Sequence, residues 1–181
     1  KLTFLTNSLI KMSRLESGII SLKPETNSLN DILLQAVKTV YAKAKEKNIT
    51  MTFDCEQNFK ALLDFNWTAE AITNVLDNAV KYTPSGGVVE LKIAEYPSYL
   101  RLDISDNGIG IPEEEQAKIF GRFYRGKQSA GIDGVGIGLY LTRDIVSKQC
   151  GYIKVISDKR GSTFSIFFRK SDALDEEPMD W

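Results

Sequence analysis

The stretch that decides the fold of this chain is Asn74-Val75-Leu76-Asp77-Asn78-Ala79-Val80-Lys81-Tyr82. Because an α-helix turns about 100° per residue, Glu70, Asn74, Asn78 and Lys81 fall within an arc of roughly 80° along one edge. Another side of the same helix carries the apolar stripe that a core requires: Ile72, Val75, Leu76, Ala79 and Val80. Amide oxygens suit Mg²⁺ and a neighbouring ammonium suits phosphate, so the polar edge predicts a site for a magnesium-bound nucleotide. A solvated helix face is the alternative that these residues alone leave open.

The whole chain has the size and composition of one ordinary domain with a small appendage. It has 181 residues, of which 43% are hydrophobic, and its net charge of −1 gives no electrostatic footprint for nucleic acid. It has no histidine, which excludes histidine-ligated zinc, Ser-His and Cys-His nucleophiles and a histidine general base. Cys55 and Cys150 lack metal-ligand spacing, so we expect reduced thiols, and no apolar run is long enough to span a bilayer.

Hydrophobic periodicity predicts an α+β fold around this helix. We expect a strand or linker at 19–23, strands at 49–54, 59–65, 88–96, 100–105, 152–157 and 162–168, and helices at 1–17, 28–47, 67–82, 113–121 and 137–148. The order β-α-β-β-α-β-β-α-β-β makes most strand pairs neighbours along the chain. It predicts a two-layer α/β sandwich, in which one mixed sheet carries helices on one face.

The two ends of the chain are predicted to stand apart from that sandwich. A heptad-like seam is formed by Leu2, Leu5, Leu9, Met12 and Ile19. It predicts a helical stub that packs on a partner helix, from a missing neighbour or a second chain, or else folds back on the main domain. The acidic residues 172–180 predict a disordered tail.

A glycine-rich break follows one predicted strand directly, at Asp106-Asn107-Gly108-Ile109-Gly110-Ile111-Pro112. A carboxylate fixed at a strand end can accept a hydrogen bond from an exocyclic amine, and Gly108 and Gly110 let a flat ring approach the backbone. Asn-Gly also favours a type I′ hairpin turn, but no alternating strand follows Pro112. We therefore predict that this break binds a ligand.

A second glycine cluster, Gly134-Val135-Gly136-Ile137-Gly138, precedes the last predicted helix. Glycines there let backbone N–H groups converge on an anion at a helix N-terminus. The cluster lacks the Gly-Lys-Ser/Thr ending of a P-loop, and Leu139 stands where the dinucleotide fingerprint needs its third glycine. A flexible loop is the alternative reading of the cluster.

The segment between the two glycine clusters alternates aromatic and basic side chains: Phe120, Arg122, Phe123, Tyr124, Arg125 and Lys127. A mobile loop does not normally keep three aromatic rings in solvent, so the segment either packs when closed or docks on a partner. Arg125 and Lys127 are long enough to reach a phosphate tail. A surface turn with incidental aromatics is the alternative.

The order of these segments resembles the ATP-binding catalytic domain of sensor histidine kinases, within the wider group of chaperone, gyrase and mismatch-repair ATPases. The resemblance covers roughly Leu29 to Phe168, and the first four of its five boxes, in one order, make it specific. The matching boxes are Asn74-x-x-x-Asn78-Ala79-x-Lys81-Tyr82 (N box), Asp106-x-Gly108-x-Gly110-Ile111-Pro112 (first glycine box), Phe120-x-x-Phe123-Tyr124-Arg125 (F box), Gly134-x-Gly136-x-Gly138-Leu139 (second glycine box) and Gly161-Ser162-Thr163-Phe164 (final short box).

The resemblance implies a Bergerat-type fold, ATP and Mg²⁺ as cofactors, and a role for each box. Asp106 would bond the adenine amino group with Tyr82 against the base. Asn78 would ligate Mg²⁺ with the help of Asn74. Lys81 and Arg125 would hold phosphate oxygens. Backbone N–H groups from Gly136 to Leu139 would receive the phosphate tail, under a lid from about Glu115 to Asp133. Further nucleotide contacts are implied for Gly108, Gly110, Ile111, Phe120, Tyr124, Gly134, Val135, Ile137, Gly138 and Thr163.

The resemblance also implies a domain layout and partners. Residues 1–23 would end the dimerisation and phosphoacceptor hairpin plus linker, 24–170 would form the ATP-binding domain, and 171–181 would be the tail. The domain would donate the γ-phosphate to a histidine on an upstream helix of its own homodimer, for relay to a response-regulator receiver domain. It would lie on the cytoplasmic side of a membrane-bound sensor.

Three features depart from the pattern of that family. The absence of histidine removes the phosphoacceptor, so we expect no autophosphorylation by this chain alone. Val135 stands where the family often has threonine, and the final box has one glycine after a shortened turn. A nucleotide-binding module and a protein-serine kinase of the same fold remain as alternatives. A chaperone-type ATPase carries a glutamate base where this chain has Asn74, and an amide cannot take a proton from water.

Overall fold

The computed structural model describes residues 21–54, 57–126 and 134–170, together with Thr6, Ile10, Ser13 and Ser17. Its strands are β1 Glu25–Ser28, β2 Thr50–Asp54, β3 Lys60–Leu63, β4 Val88–Glu95, β5 Tyr99–Asp106, β6 Tyr152–Asp158 and β7 Gly161–Arg169. Its helices are α1 Leu29–Glu46, α2 Phe65–Tyr82, α3 Glu113–Gln116 and α4 Gly138–Ser147, with a 3₁₀ turn at Lys118–Phe120. From residue 28 onwards the predicted helices and strands are therefore present, with boundaries that differ by a few residues.

Five strands form one mixed sheet in the order β2-β4-β5-β7-β6, which confirms the predicted α+β class. Only β2 and β4 run parallel in it, and the other neighbours are antiparallel. The prediction of a single sheet was wrong, because β1 and β3 pair separately as a short antiparallel ribbon. Residues 21–23 carry no strand, and β1 begins directly after Pro24. Ser28, the last residue of β1, also caps α1 by accepting from the N–H of Asp31 at 3.1 Å.

The helices cover one face of the sheet and bury a single core against it. The inward side chains of the central strands alternate with outward ones, as a half-buried sheet requires: Val89, Leu91, Ile93, Leu100, Leu102, Ile104, Phe164, Ile166 and Phe168. Two polar ties fix α4 against α2. The hydroxyl of Thr142 donates to the carbonyl of Ala71 at 3.1 Å, and Gln149 Oε1 accepts from the N–H of Asp64 at 2.7 Å. Asp64 caps α2 through a 3.0 Å bond from Trp67 N, which starts the helix two residues before the predicted boundary.

The C-terminal end of α2 is capped by a lysine from outside the helix. Lys47, just past α1, is half-buried and its Nζ donates to the carbonyls of Val80, Lys81 and Thr83 at 2.8, 3.0 and 2.6 Å. A cation at this end satisfies carbonyls that have no intrahelical partner and complements the helix dipole. Lys47 therefore holds in place the turn of helix that carries Lys81 and Tyr82.

We expect Lys47→Met to lower the free energy of unfolding by about 1–3 kcal/mol, because three partly buried carbonyls lose their donor. Urea denaturation is the measurement. Lys45→Met, at an exposed position in the last turn of α1, is the matched control and should change the midpoint little. Equal midpoints for the two variants would show that water replaces the ammonium at no cost.

Three predictions fall on residues that the structure does not describe. They concern the whole heptad-like seam with its helical stub, the acidic tail, and Lys127 with the rest of 127–133. Among the described residues, no helix combines the length and apolar character needed to cross a membrane. Cys150 is a free thiol, as expected, and Cys55 lies outside the described residues.

Candidate functional site

A cavity of about 310 Å³ lies between α2, the loop after β5 and the segment that leads into α4. The polar edge of α2 forms one wall and the two glycine clusters form others. Most of the residues predicted for the site line this cavity: Asn74, Asn78, Lys81, Tyr82, Asp106, Gly110, Ile111, Tyr124, Arg125, Gly134, Val135, Gly136, Ile137, Gly138 and Leu139. Side chains that are up to 65 positions apart in the chain therefore meet in one place.

Three residues predicted for the site do not line the cavity. Gly108 packs behind the loop, where an added Cβ would lie 2.6 Å from the carbonyl oxygen of Tyr82. Phe120 is buried edge-on against Phe164 at 6.5 Å between ring centroids, so it supports the wall from behind. Thr163 bonds to Ser105 on the other face of the sheet at 2.9 Å. Because strand side chains alternate, its neighbour Ser162 lines the cavity instead.

Asp106 marks the end of the cavity next to β5. Its Oδ1 accepts from the N–H of Gly108 at 2.8 Å, which fixes the carboxylate at the start of the loop. Burial raises the pKa of Asp106 above its ordinary value, against the opposing effect of backbone hydrogen bonds from Gly108 and Ser162. A half-buried carboxylate held in this way is suited to accept from a donor that a ligand brings into the cavity.

The loop after Asp106 is fastened to the β6–β7 hairpin by a hydrogen-bonded cluster that we call the Ser157 clasp, made of Ile111, Gln116, Ser157 and Gly161. Ser157 Oγ accepts from the N–H of Ile111 and donates to the carbonyl of Gly161, both at 2.8 Å. Gln116 Nε2 donates to the carbonyls of Ile111 and Ser157 at 3.1 and 2.9 Å. Gly110, at φ +72°, brings the loop so close to the hairpin that a Cβ would meet a backbone carbonyl. The geometry of this end of the cavity is therefore set before any ligand arrives.

The opposite end of the cavity is rich in hydrogen-bond donors. Asn74 Nδ2 is buried and has no acceptor in the described part of the chain. The start of α4 packs beside it, since a Cβ on Gly138 would lie 3.4 Å from Asn74 Oδ1. The first turn of any helix leaves N–H groups without intrahelical acceptors. An unsatisfied amide beside a helix N-terminus fits a ligand that brings several oxygen acceptors, as a polyphosphate does.

Two lysines share one carboxylate at this donor-rich end. Asp77 Oδ1 lies 2.5 Å from Lys43 Nζ on α1, and Asp77 Oδ2 lies 3.3 Å from Lys81 Nζ one helical turn further along α2. Burial alone would raise the pKa of Asp77, but hydrogen bonds and charges from Lys43 and Lys81 outweigh it and lower the pKa. The polar edge of α2 was predicted without Asp77, because a carboxylate next to lysines on a helix also fits an ordinary surface ion pair.

Tyr124 and Arg125 of the aromatic-basic segment line one side of the cavity, next to Glu115 of α3, which is 4% exposed. A Cβ on Gly126 would lie 2.5 Å from its Oε2, so carboxylate and backbone are in close contact. The pKa of Tyr124 is raised by desolvation and then by the Glu115 carboxylate, to which its hydroxyl donates.

The aromatic-basic segment packs only in part. Phe123 is 54% exposed with φ +59°, while the guanidinium of Arg122 lies over the ring of Tyr140, 4.7 Å from its centroid. The segment thus packs in part and leaves one aromatic ring outside. The sequence predicted Glu115 only as the start of a lid and not as a residue that lines the cavity, since three glutamates in a row are typical of a solvated helix start.

Comparison with known proteins agrees with this geometry. Residues 64–172 match the family described as Histidine kinase-, DNA gyrase B-, and HSP90-like ATPase. The sensor histidine kinase Hik2 of Synechocystis is 38% identical over 168 residues, a match that covers 81% of this chain and 38% of that protein. This chain therefore spans well under half the length of that relative.

Two solved structures show the same fold. The mycobacterial sensor histidine kinase MprB has a TM-score of 0.73 at 26% identity, covering 81% of this chain and 97% of that one. Full-length ShkA, solved in complex with AMPPNP, has a TM-score of 0.81 at 23% identity, covering 94% of this chain and 36% of that one. The family match spans well over half of the chain and contains the whole cavity. The chain therefore belongs to the histidine kinase-, DNA gyrase B- and HSP90-like ATPases, among which its relatives are named sensor histidine kinases.

Proposed function

We propose that this domain binds Mg-ATP and donates the γ-phosphate to a histidine on an upstream dimerisation helix, for relay to a response-regulator aspartate. The observation that carries the proposal is the meeting of Asp106, the amides of α2, Lys81 and the second glycine cluster around one cavity. One end offers a fixed acceptor and apolar walls, and the other offers donors and cations. That polarity matches a purine at one end and a charged phosphate tail at the other.

The purine would lie at the end of the cavity that the Ser157 clasp holds rigid. Asp106 would accept from the exocyclic amine of adenine, and Tyr82 would lie against the ring. Ile109, Ile111 and Pro112 line the same wall and exclude water from the base. A buried carboxylate that finds a donor is relieved of part of its desolvation penalty, which favours adenine over a base with a carbonyl in that place.

The phosphate tail would lie between α2 and the start of α4. Asn78 and Asn74 would hold a magnesium ion, which when bound neutralises part of the phosphate charge. Lys81 and Arg125 would contact phosphate oxygens, and N–H groups from Gly136 to Leu139 would donate to the tail. Phosphoryl transfer asks a protein chiefly for position and charge neutralisation, and these residues supply both without a nucleophile of their own.

The names of the relatives support a proposal about the wider arrangement. We propose that residues 1–23 end a dimerisation and phosphoacceptor hairpin, that 24–170 form the catalytic domain and that 171–181 are a separate tail. ShkA, a fold neighbour, was solved with an ATP analogue, which supports nucleotide as the ligand. ATP, an upstream histidine of the same homodimer and a response-regulator receiver domain are the proposed partners, on the cytoplasmic side of a membrane-bound sensor.

A second candidate is a nucleotide-binding module, or a protein-serine kinase of the same fold, that transfers nothing to histidine. Val135 is the observation that favours it. This side chain lines the cavity next to Gly134 in the second glycine cluster and offers no hydroxyl to the phosphates. The loss of one donor weakens positioning of the γ-phosphate more than it weakens binding of the base.

We expect phosphate transfer when this domain is mixed with the phosphoacceptor domain that precedes it in its full-length protein. With labelled ATP and Mg²⁺, the acceptor should gain an acid-labile, alkali-stable label, as phosphohistidine does. Asn78→Ala is the matched variant and should lower the rate of labelling by about 100-fold or more, since it removes a group that positions the transferred phosphate.

Calorimetric titration with ATP, with and without Mg²⁺, separates the candidates. Binding with acid-labile labelling supports the kinase. Binding without labelling would leave the binding module as the better account, and an acid-stable label would point to serine transfer. Failure of ATP to bind the intact domain would contradict the proposal altogether.

A further inference from the structure

We infer that Asp77 is a built-in counter-ion that competes with the phosphate tail for Lys81, and that Lys43 on α1 sets the strength of this competition. The inference rests on the proposed nucleotide site and assigns a positioning pair to it. Neither Asp77 nor Lys43 is among the residues that the family resemblance singles out.

The three side chains form a short relay across two helices. Lys43 Nζ is 2.5 Å from one oxygen of Asp77, and Lys81 Nζ is 3.3 Å from the other. Asp77 and Lys81 both line the cavity, whereas Lys43 does not, and its side chain is 64% exposed. Lys81 Nζ also faces the second glycine cluster, because a Cβ on Gly134 would lie 3.7 Å from it. The ammonium therefore stands between its carboxylate partner and the place proposed for the phosphates.

The charges in this relay decide the direction of each effect. With both lysines present, the cluster carries a net charge of +1, and Asp77 keeps a cation when Lys81 turns towards phosphate. Without Lys43 the net charge falls to zero. Among the described residues, Lys81 is then the one cation paired with Asp77, whose side chain is only 23% exposed. Turning Lys81 towards phosphate would leave that carboxylate uncompensated beside a polyanion, which is unfavourable at such short range.

Two single substitutions should therefore shift phosphate binding in opposite directions. Lys43→Met should weaken ATP binding by about threefold to tenfold, because Asp77 loses its second cation and holds Lys81 back from the phosphates. Asp77→Asn should tighten it by about twofold to fivefold, because Lys81 is released and the cluster gains a unit of positive charge. Adenosine, which carries no phosphate, should be affected by neither. In the Asp77→Asn background, Lys43→Met should lose most of its effect.

A purely structural ion pair would behave differently. Lys43 and Asp77 join α1 to α2, so a structural role predicts that both variants loosen the site and weaken ATP and adenosine in parallel. Ion pairs with one largely exposed partner contribute little to stability. We accordingly expect urea midpoints close to those of the parent protein, and the opposite signs of the two variants cannot arise from loosening alone.

The experiment is calorimetric titration of the whole chain with adenosine, ADP and ATP, in Mg²⁺ at low and high salt. Lys45→Met, two residues along α1 from Lys43 and without a described ion pair, is the matched control for loss of a surface charge. The inference is supported if the ratio of ATP to adenosine affinity falls in Lys43→Met, rises in Asp77→Asn and returns towards the parent value at high salt.

Four outcomes would overturn it. Equal changes in the affinities for ATP and for adenosine would show that the Lys43–Asp77 pair has a structural role alone. Weaker ATP binding in Asp77→Asn that appears only with Mg²⁺ would make Asp77 a metal ligand rather than a counter-ion. A parent protein that binds adenosine and ATP with equal affinity would refute the competition between Asp77 and the phosphates, but not the nucleotide site. A parent protein that binds neither would refute the nucleotide site as well, so failure of the inference and failure of the proposed function give different results.

Discussion

Gly110→Ala is expected to lower the free energy of unfolding by about 2–4 kcal/mol, through backbone strain and a clash that cannot relax. Gly110 has φ +72°, a conformation that side-chain-bearing residues rarely adopt. An added Cβ would also lie 1.8 Å from the carbonyl oxygen of Asp158. Because the obstacle is backbone, the loop must withdraw from the hairpin, and the Ser157 clasp must open with it.

Gly86→Ala is the control that separates strain from collision. Gly86 has φ +80°, yet an added Cβ would meet nothing within 4 Å. We expect a loss of about 1 kcal/mol there, which is the conformational term alone. Urea denaturation of both variants measures the difference. Equal losses would mean that the loop carrying Gly110 moves freely, and the claim that this end of the cavity is preformed would be wrong.

Asp106→Asn is expected to weaken binding of adenine nucleotides by about 1–3 kcal/mol, the cost of replacing a charge-assisted acceptor in a partly buried site. An asparagine can turn its N–H₂ group towards the base, where it opposes the amine of adenine but can donate to the carbonyl of guanine. ATP should therefore lose more affinity than GTP. Competition titration with the two nucleotides is the measurement, and equal losses would remove the proposed contact between Asp106 and the base.

The same variant should be more stable than the parent protein when no nucleotide is present. The pKa of Asp106 is raised by burial, so the folded state keeps this proton to a higher pH than the unfolded state does. As the pH rises through the ordinary aspartate range, the unfolded state ionises first and is favoured, and the penalty is complete above the raised pKa. Asparagine carries no such penalty at neutral pH, while it can still accept from the N–H of Gly108. A urea midpoint below that of the parent at pH 7 would contradict this account.

A helix could be predicted from the sequence wherever a local pattern, such as an apolar stripe or a capping residue, was enough to specify it. The apolar stripe of α2 and the capping pattern at Ser28 and Asp31 both predict helices that the structure contains. What could not be predicted was the pairing of β1 with β3. Both strands have four residues, and nothing in so short a run states which sheet it joins.

For the candidate site, too, the sequence was informative only where single residues were unusual. The residues on the polar edge of α2 and in the glycine clusters were predicted because their types are unusual for a core, and most of them line the cavity. Thr163 was predicted for the site, but its neighbour Ser162 lines the cavity, because a strand puts alternate residues on opposite faces and the sequence did not fix the start of β7. Asp77 and Glu115 were not predicted to line the cavity, because a carboxylate on a helix is ordinary until a cavity is seen beside it.

The Ser157 clasp has a consequence for exchanging parts between related proteins. The turn that bears Asp106 and the hairpin some fifty positions later share one hydroxyl, so neither can be transplanted without its counterpart. A chimera that receives only 106–112 from a relative would join the relative's loop to the parent's β6–β7 hairpin, so the hydrogen bonds through Ser157 would no longer match. Moving 106–116 together with 157–162 keeps both halves of the clasp from the same donor, so we expect this pair of segments to be the smallest that can be exchanged with the clasp intact.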